Sequence, residues 1–203
     1  MAIAQPAVLA DVWSIRSHSR AGVFARQIVL VLGGAAFVGL AAQVAIPLPF
    51  TPVPLTLQTF AVLLAGATLG SLRGVLALTV YAAAGIVGFP WFAEGSSGFA
   101  MPSFGYILGF ILAAGIVGRI AEHGATRTVW RTAGVMVLGS FVIYAVGATW
   151  LKFALGVTWL TAMQLGVAPF LIGDAVKIAL AAGLLPLAWT GLRERPRHLH
   201  ETC

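Results

Sequence analysis

Charge is scarce in this 203-residue sequence: 9% of its residues are Asp, Glu, Lys or Arg, against 60% that are hydrophobic. Soluble domains carry roughly a quarter charged residues, so this balance excludes an ordinary soluble fold and points to an integral membrane protein. Acids are rarer still, six against twelve basic residues, for a net charge of +6. In so apolar a chain the basic excess reads as orientation in a bilayer, and no nucleic-acid partner is expected. A lone cysteine, Cys203, excludes an internal disulfide framework. Missing too are a Walker-type phosphate loop, a Ser/His/Asp set and paired carboxylates, so the chain is not expected to be an enzyme or to hydrolyse ATP itself. His18, His123, His198 and His200 stand in polar ends or a loop, without a Cys or carboxylate at ligand spacing on an apolar helix, so neither a metal nor a cofactor is expected.

What is present is long apolar sequence. Windows bounded by charge, Pro or Gly give six predicted spans, 27–46, 56–72, 74–92, 104–121, 132–151 and 169–190. The chain therefore reads as one all-α membrane domain of six transmembrane helices over 27–190, with a lead-in at 1–26 and a tail at 191–203. The lead-in lacks the basic start and immediate apolar core of a secretory signal and is expected to be cytoplasmic. Spans two and three are joined only by Gly-Ser-Leu-Arg-Gly, which predicts an antiparallel hairpin. All ten arginines fall on one side of this arrangement: Arg16, Arg20, Arg26, Arg73, Arg119, Arg127, Arg131, Arg193, Arg195 and Arg197. The other side has only Lys152. By the positive-inside rule both termini are expected in the cytoplasm of a multi-pass cell-membrane protein.

The three outer connections, 47–56, 88–103 and 152–169, are rich in Pro, Gly, aromatic or aliphatic residues. Apolar backbone outside a helix has to be satisfied by protein or line a cavity, so these segments are expected to cap an outward-facing pocket. The other reading lays them flat on the membrane interface. No internal repeat of the kind that builds inverted-repeat carriers is found.

Asp174 and Lys177 are the residues that demand explanation. They stand one turn apart in the greasy stretch Leu-Ile-Gly-Asp-Ala-Val-Lys-Ile-Ala-Leu, with Asp174 about 7 to 8 Å below the outer interface at 1.5 Å per residue. Ionisable groups at such depth normally face a protein interior and mark a ligand path, although a self-neutralising structural pair is the alternative. A carboxylate beside an ammonium complements a compact ligand that offers donors next to an acceptor, such as a cyclic urea. Gln58, in the first turn of span two, reads either as a further ligand contact or as an amide at the helix end. Glu94 reads as a lid residue or a solvated loop acid. Trp91, Tyr106 and Trp159 read as apolar pocket walls or as an interfacial aromatic belt. Tyr81 and Tyr144 lie deeper, where a phenol needs a partner. Span one carries small residues at i, i+4, Ala35 with Gly39 and Ala41 with Ala45, suited to internal packing or to docking another subunit.

Four stretches together resemble the BioY family, the biotin-binding substrate-specificity components of energy-coupling factor transporters. They are IPLPFTPVPLTLQTFAVLLAGATLG, VYAAAGIVGFPWFAEGSSG, FGYILGF and PFLIGDAVKIALAA, which fall in order within roughly 30–185. The resemblance implies capture of biotin at the outer face. Import would be driven by a partner module, a transmembrane coupling protein with two ATP-binding-cassette subunits, which alone would use ATP. It also implies that Asp174, Lys177 and Gln58 contact biotin, with Glu94, Tyr81, Tyr106 and Trp91 placed around them, and that the small-residue stripe of span one docks on the coupling protein. Two competing functions remain from the sequence, a component for another vitamin and an ion-coupled carrier that uses Asp174 and Lys177 as a relay.

Overall fold

In chain order the computed structural model, which describes residues 7–12 and 19–193, begins with α1 (Leu9–Val12) and α2 (Arg20–Gln43). A small antiparallel ribbon follows, β1 (Ala45–Ile46) paired with β2 (Leu55–Thr56). Then come α3 (Gln58–Leu69), α4 (Ser71–Ile86), α5 (Phe104–Glu122), α6 (Val129–Leu155), α7 (Trp159–Gly166) and α8 (Leu171–Arg193). The all-α expectation holds except for this ribbon, which the Pro-rich connection forms by folding back on itself. Arg16, His18, Arg195, Arg197, His198, His200 and Cys203, with the rest of 1–6, 13–18 and 194–203 from the lead-in and tail named above, lie outside the described residues.

Helices α2, α5, α6 and the stretch Trp159–Gly191 are long and apolar enough to cross a membrane. The windows 56–72 and 74–92 instead give shorter apolar helices of 12 and 16 residues. At 1.5 Å per residue the 12 residues of α3 reach about 18 Å, against a hydrocarbon core of about 30 Å. The causes are local. Thr56 is taken into the ribbon, and α4 stops before Gly88, whose φ of +105° no helix accepts and which is followed by Pro90.

Gly70 alone joins α3 to α4, with φ +87° and ψ 176°, a region open essentially to glycine. The two helices then run antiparallel, as expected: Gly66 and Gly74 meet four residues either side of the turn, and Gln58 bonds Tyr81 at the far end. Helix α5 fills the middle, packed on α3, α4 and α6, and its Ala113, Ala114, Val117 and Ala121 are fully buried.

One end of the bundle gathers the arginines. Arg73 donates to Asp11 Oδ1 at 2.8 Å and to Gln27 Oε1 at 2.6 Å, Ser71 N donates to Glu122 Oε1 at 2.8 Å, and the Arg127 guanidinium stands 4.9 Å from the Trp189 ring. Lys152 stands at the opposite end, where Trp150 Nε1 of the same helix bonds the Met101 carbonyl.

The small-residue stripe of α2 needs correction as a docking surface. Ala35, Gly39 and Ala41 are buried within the described chain, and a side chain on Gly39 would meet the Trp91 ring at 2.8 Å. Ala45 belongs to β1. The stripe is used for internal packing, because it lets the 88–103 connection press onto α2.

Candidate functional site

All three apolar connections converge at the end of the bundle that carries Lys152. Thr51 Oγ1 of the Pro-rich connection donates to the Leu165 carbonyl of α7 at 2.8 Å, and Tyr106 donates to the Gly166 carbonyl at 2.7 Å. Phe92 is buried edge-on against Tyr81, in a space that Gly85 leaves open. Trp91 is anchored through its Nε1 to the Tyr81 carbonyl at 2.9 Å, and Gln43 Nε2 donates to the Trp91 carbonyl at 3.0 Å. These anchors form a partial roof over a cavity. Its walls are mostly apolar, Phe92, Met101, Tyr106 and Phe110 among them, and its polar groups cluster where α3 meets α8.

That cluster is a closed network. Asp174, 4% exposed, accepts from Lys177 Nζ at 2.9 Å and from Thr59 Oγ1 at 3.1 Å on Oδ1, and from the Tyr144 hydroxyl at 2.5 Å on Oδ2. Lys177 Nζ donates also to the Thr56 carbonyl and to Thr59 Oγ1, both at 2.8 Å. An ammonium has three donors, and here all three are engaged. A carboxylate has about four acceptor positions, so Asp174 keeps one, on Oδ2. Burial of the two charges is thus offset within the protein by hydroxyls and a strand carbonyl. The strand carbonyl is available because β2 ends two residues before α3, beside the deeper turn of α8.

Gln58 lines the same cavity and is held there by Tyr81, whose hydroxyl accepts from Gln58 Nε2 at 2.6 Å. The Gln58 side-chain carbonyl accepts from Thr56 Oγ1 at 3.3 Å. Of the residues expected from sequence, Asp174, Lys177, Gln58 and Tyr106 therefore meet around one space. Tyr81 and Trp91 stand directly behind it, ring centroids 5.1 Å apart, and brace it. Glu94 is not among the lining residues; it is exposed on the Gly-rich tip at φ +58°, a left-handed conformation uncommon outside glycine. Trp159 is also absent from these walls and lies on α7 beside a different groove. Thr59 escaped the sequence reading; its hydroxyl in the first turn of α3 and the Thr56 carbonyl of β2 meet at Lys177 Nζ, each at 2.8 Å. The Tyr144 phenol, expected only to need some partner, finds it in Asp174.

Residues 13–194 match the BioY family. Among similar curated proteins, the probable biotin transporter BioY of Pyrococcus horikoshii is 38% identical over 160 residues, 77% of this chain and 92% of that one. The biotin transporter BioY of Rhodobacter capsulatus is 38% identical over 169 residues, 76% of this chain and 88% of that one. The Thermotoga maritima biotin transporter BioY is 37% identical over 140 residues, 68% and 81% of the respective chains. In fold, the chain is similar to the crystal structure of the S-component for biotin from an ECF-type ABC transporter. The TM-score is 0.75 at 23% identity, covering 86% of this chain and 95% of that one.

Proposed function

The chain belongs to the BioY family, and from that premise we propose that it is a membrane-embedded substrate-specificity component that captures biotin for an energy-coupling-factor transporter. The observation that carries this reading is the cavity that two apolar connections line over the Asp174 network, with the third tied to it through Thr51 and Tyr106. Biotin offers two ureido N–H donors, one carbonyl, an apolar sulfur ring and a carboxylated tail. The free acceptor position of Asp174 Oδ2 suits a ureido N–H, and the aromatic walls suit the sulfur ring. Lys177 can reach the ureido carbonyl or the tail carboxylate only by exchanging one of its three present acceptors. Its first role in this reading is to hold the Asp174 carboxylate in place as an acceptor.

Six crossings by α2, α3, α4, α5, α6 and α8, with the arginine-rich end in the cytoplasm of a cell-membrane protein, are part of the same proposal and are supported by the charge distribution. The short α3 would complete its crossing with the ribbon above it and would run through protein rather than lipid. Energy would come from a transmembrane coupling protein with two ATP-binding-cassette subunits, the chain itself using no cofactor.

Equilibrium binding of biotin to the purified protein in detergent, with other vitamins as controls, tests the reading. Biotin should bind and the others should not. Asp174→Asn should weaken biotin, and an unchanged affinity would overturn the ureido assignment. Desthiobiotin and biotin amides, compared in wild type and Lys177→Ala, decide which end Lys177 holds.

A further inference from the structure

Behind Tyr144 and Asp174 lies a second concavity, on the outer flank of the bundle, where α6 and α8 part company. Near the arginine-rich end α8 is tied to the turn that precedes α6, where the Trp189 indole donates to Thr126 Oγ1 at 3.3 Å. Toward the cavity end, α7 packs on α6, and a groove lined by α6, α7 and α8 runs along α6 from Val137 to Thr149. From Val137 to Thr149 the helix rises about 18 Å, near the ~15 Å of one hydrocarbon leaflet. Its walls are almost wholly apolar, and small residues, Ala145 and Ala148 on α6 and Ala175 on α8, leave it unfilled. Trp159 and Met163 of α7 line it at the cavity end. There Lys152 holds its ammonium 5.3 Å from the Trp159 ring and 4.4 Å from the Phe153 ring, with no carboxylate within salt-bridge reach among the described residues.

We propose that this groove is a binding site for one anionic phospholipid, its acyl chain lying between α6 and α8 and its phosphate on Lys152. The argument rests on length, polarity and charge together. A membrane-embedded apolar groove open to the side takes up hydrocarbon, because no water is present to fill it. A cation at the interface end selects an anionic headgroup, with Trp159 at the level where indoles favour the interface. The acyl chain would back the Tyr144–Asp174 hydrogen bond and keep that face of the carboxylate dry. The site is distinct from the biotin cavity, from which Tyr144 and Asp174 separate it, and its occupancy does not depend on the identity of the vitamin.

Native mass spectrometry of the full chain in detergent, with phosphatidylglycerol and phosphatidylcholine of the same acyl chains added in equal amounts, tests the proposal. Wild type should retain one lipid, with phosphatidylglycerol favoured about fivefold, the effect of one basic residue at a membrane surface. Lys152→Gln should erase that preference while a lipid is still retained. Ala145→Trp and Ala175→Trp, at exposed positions where the fold tolerates bulk, should each abolish the retained lipid. Equal retention of the two lipids by wild type would overturn the proposal. So would a preference that survives Lys152→Gln, retention by both tryptophan variants, or a dimer in place of the lipid adduct.

Discussion

Two polar clusters tie the bundle together, one at each end, and their central ion pairs have nearly the same length. Asp174 and Lys177 meet at 2.9 Å, Asp11 and Arg73 at 2.8 Å. Their surroundings differ. The first pair has side chains 6% and 14% exposed, beside a cavity and with a phenol and a threonine completing its bonds; the second is 30% and 20% exposed and joins a four-residue helix to the α3–α4 turn. Ion-pair distance therefore says little about energy or purpose, whereas desolvation and the remaining partners say much. At the cavity end polar groups line the cavity and keep one acceptor position of Asp174 in reserve. At the arginine-rich end they satisfy turns: Glu122 caps the first residue of α4, and Arg73 also holds Gln27.

The sharpest way to break this contrast is Asp174→Ala. It strands a buried ammonium, a phenol and a threonine at once, and removing one partner of a buried pair typically costs about 3–5 kcal/mol. Unfolding measured in mixed micelles should show a loss of that order, and biotin binding should disappear with it. A variant that retained both its stability and its biotin affinity would place the two clusters on an equal footing and end the comparison.

How far the sequence foretold this contrast depends on the physical signal each end leaves. Asp174 and Lys177 were legible because a charge in an apolar helix is costly wherever it points, and the i, i+3 spacing alone sets both on one face. Gln58 and Tyr106 were legible by their level in the membrane. Thr59 was not, since a hydroxyl in an apolar helix can bond its own backbone and stands out in no pattern. The reach of α3 and α4 was overestimated because hydropathy does not register a strand of two residues or a backbone that needs positive φ. The destination of the small-residue stripe was also open: Ala35 and Gly39 permit close approach, but only the folded chain reveals that Trp91 makes it. At the other end the arginines were legible as a group, through their common side, whereas the pairing of Arg73 with Asp11 spans 62 positions and has no local signature.

The next effect in size belongs to the arginine-rich end and separates stability from binding. Gly70→Ala forces a β-carbon into a conformation open essentially to glycine and to within 2.8 Å of Glu122 Oε1. Backbone strain of this kind costs on the order of 1–3 kcal/mol, and the added crowding puts the expectation toward the upper part of that range. Unfolding should become easier by about 2–3 kcal/mol, while biotin titrated into the folded fraction should bind as in wild type. A changed biotin affinity would mean that the turn and the cavity are coupled through α3, and that the two ends are not separate devices.

The smallest effect is expected where the pair looks as good as the buried one. Asp11→Asn keeps the shape of the side chain and removes only its charge, leaving Arg73 with Gln27 and with access to water. Partly exposed pairs contribute about 0–1 kcal/mol, so the change in unfolding free energy should stay below about 1 kcal/mol. Ionic strength sharpens the test. At 1 M salt the screening length falls to about 3 Å, which should shrink the Asp11→Asn effect further. The Asp174→Ala effect should persist at the same salt, since ions do not enter the buried network that holds Lys177. If both substitutions responded to salt alike, the Asp174 cluster would be solvated in the way the Asp11 pair is, and the buried acceptor on which the biotin proposal depends would be lost.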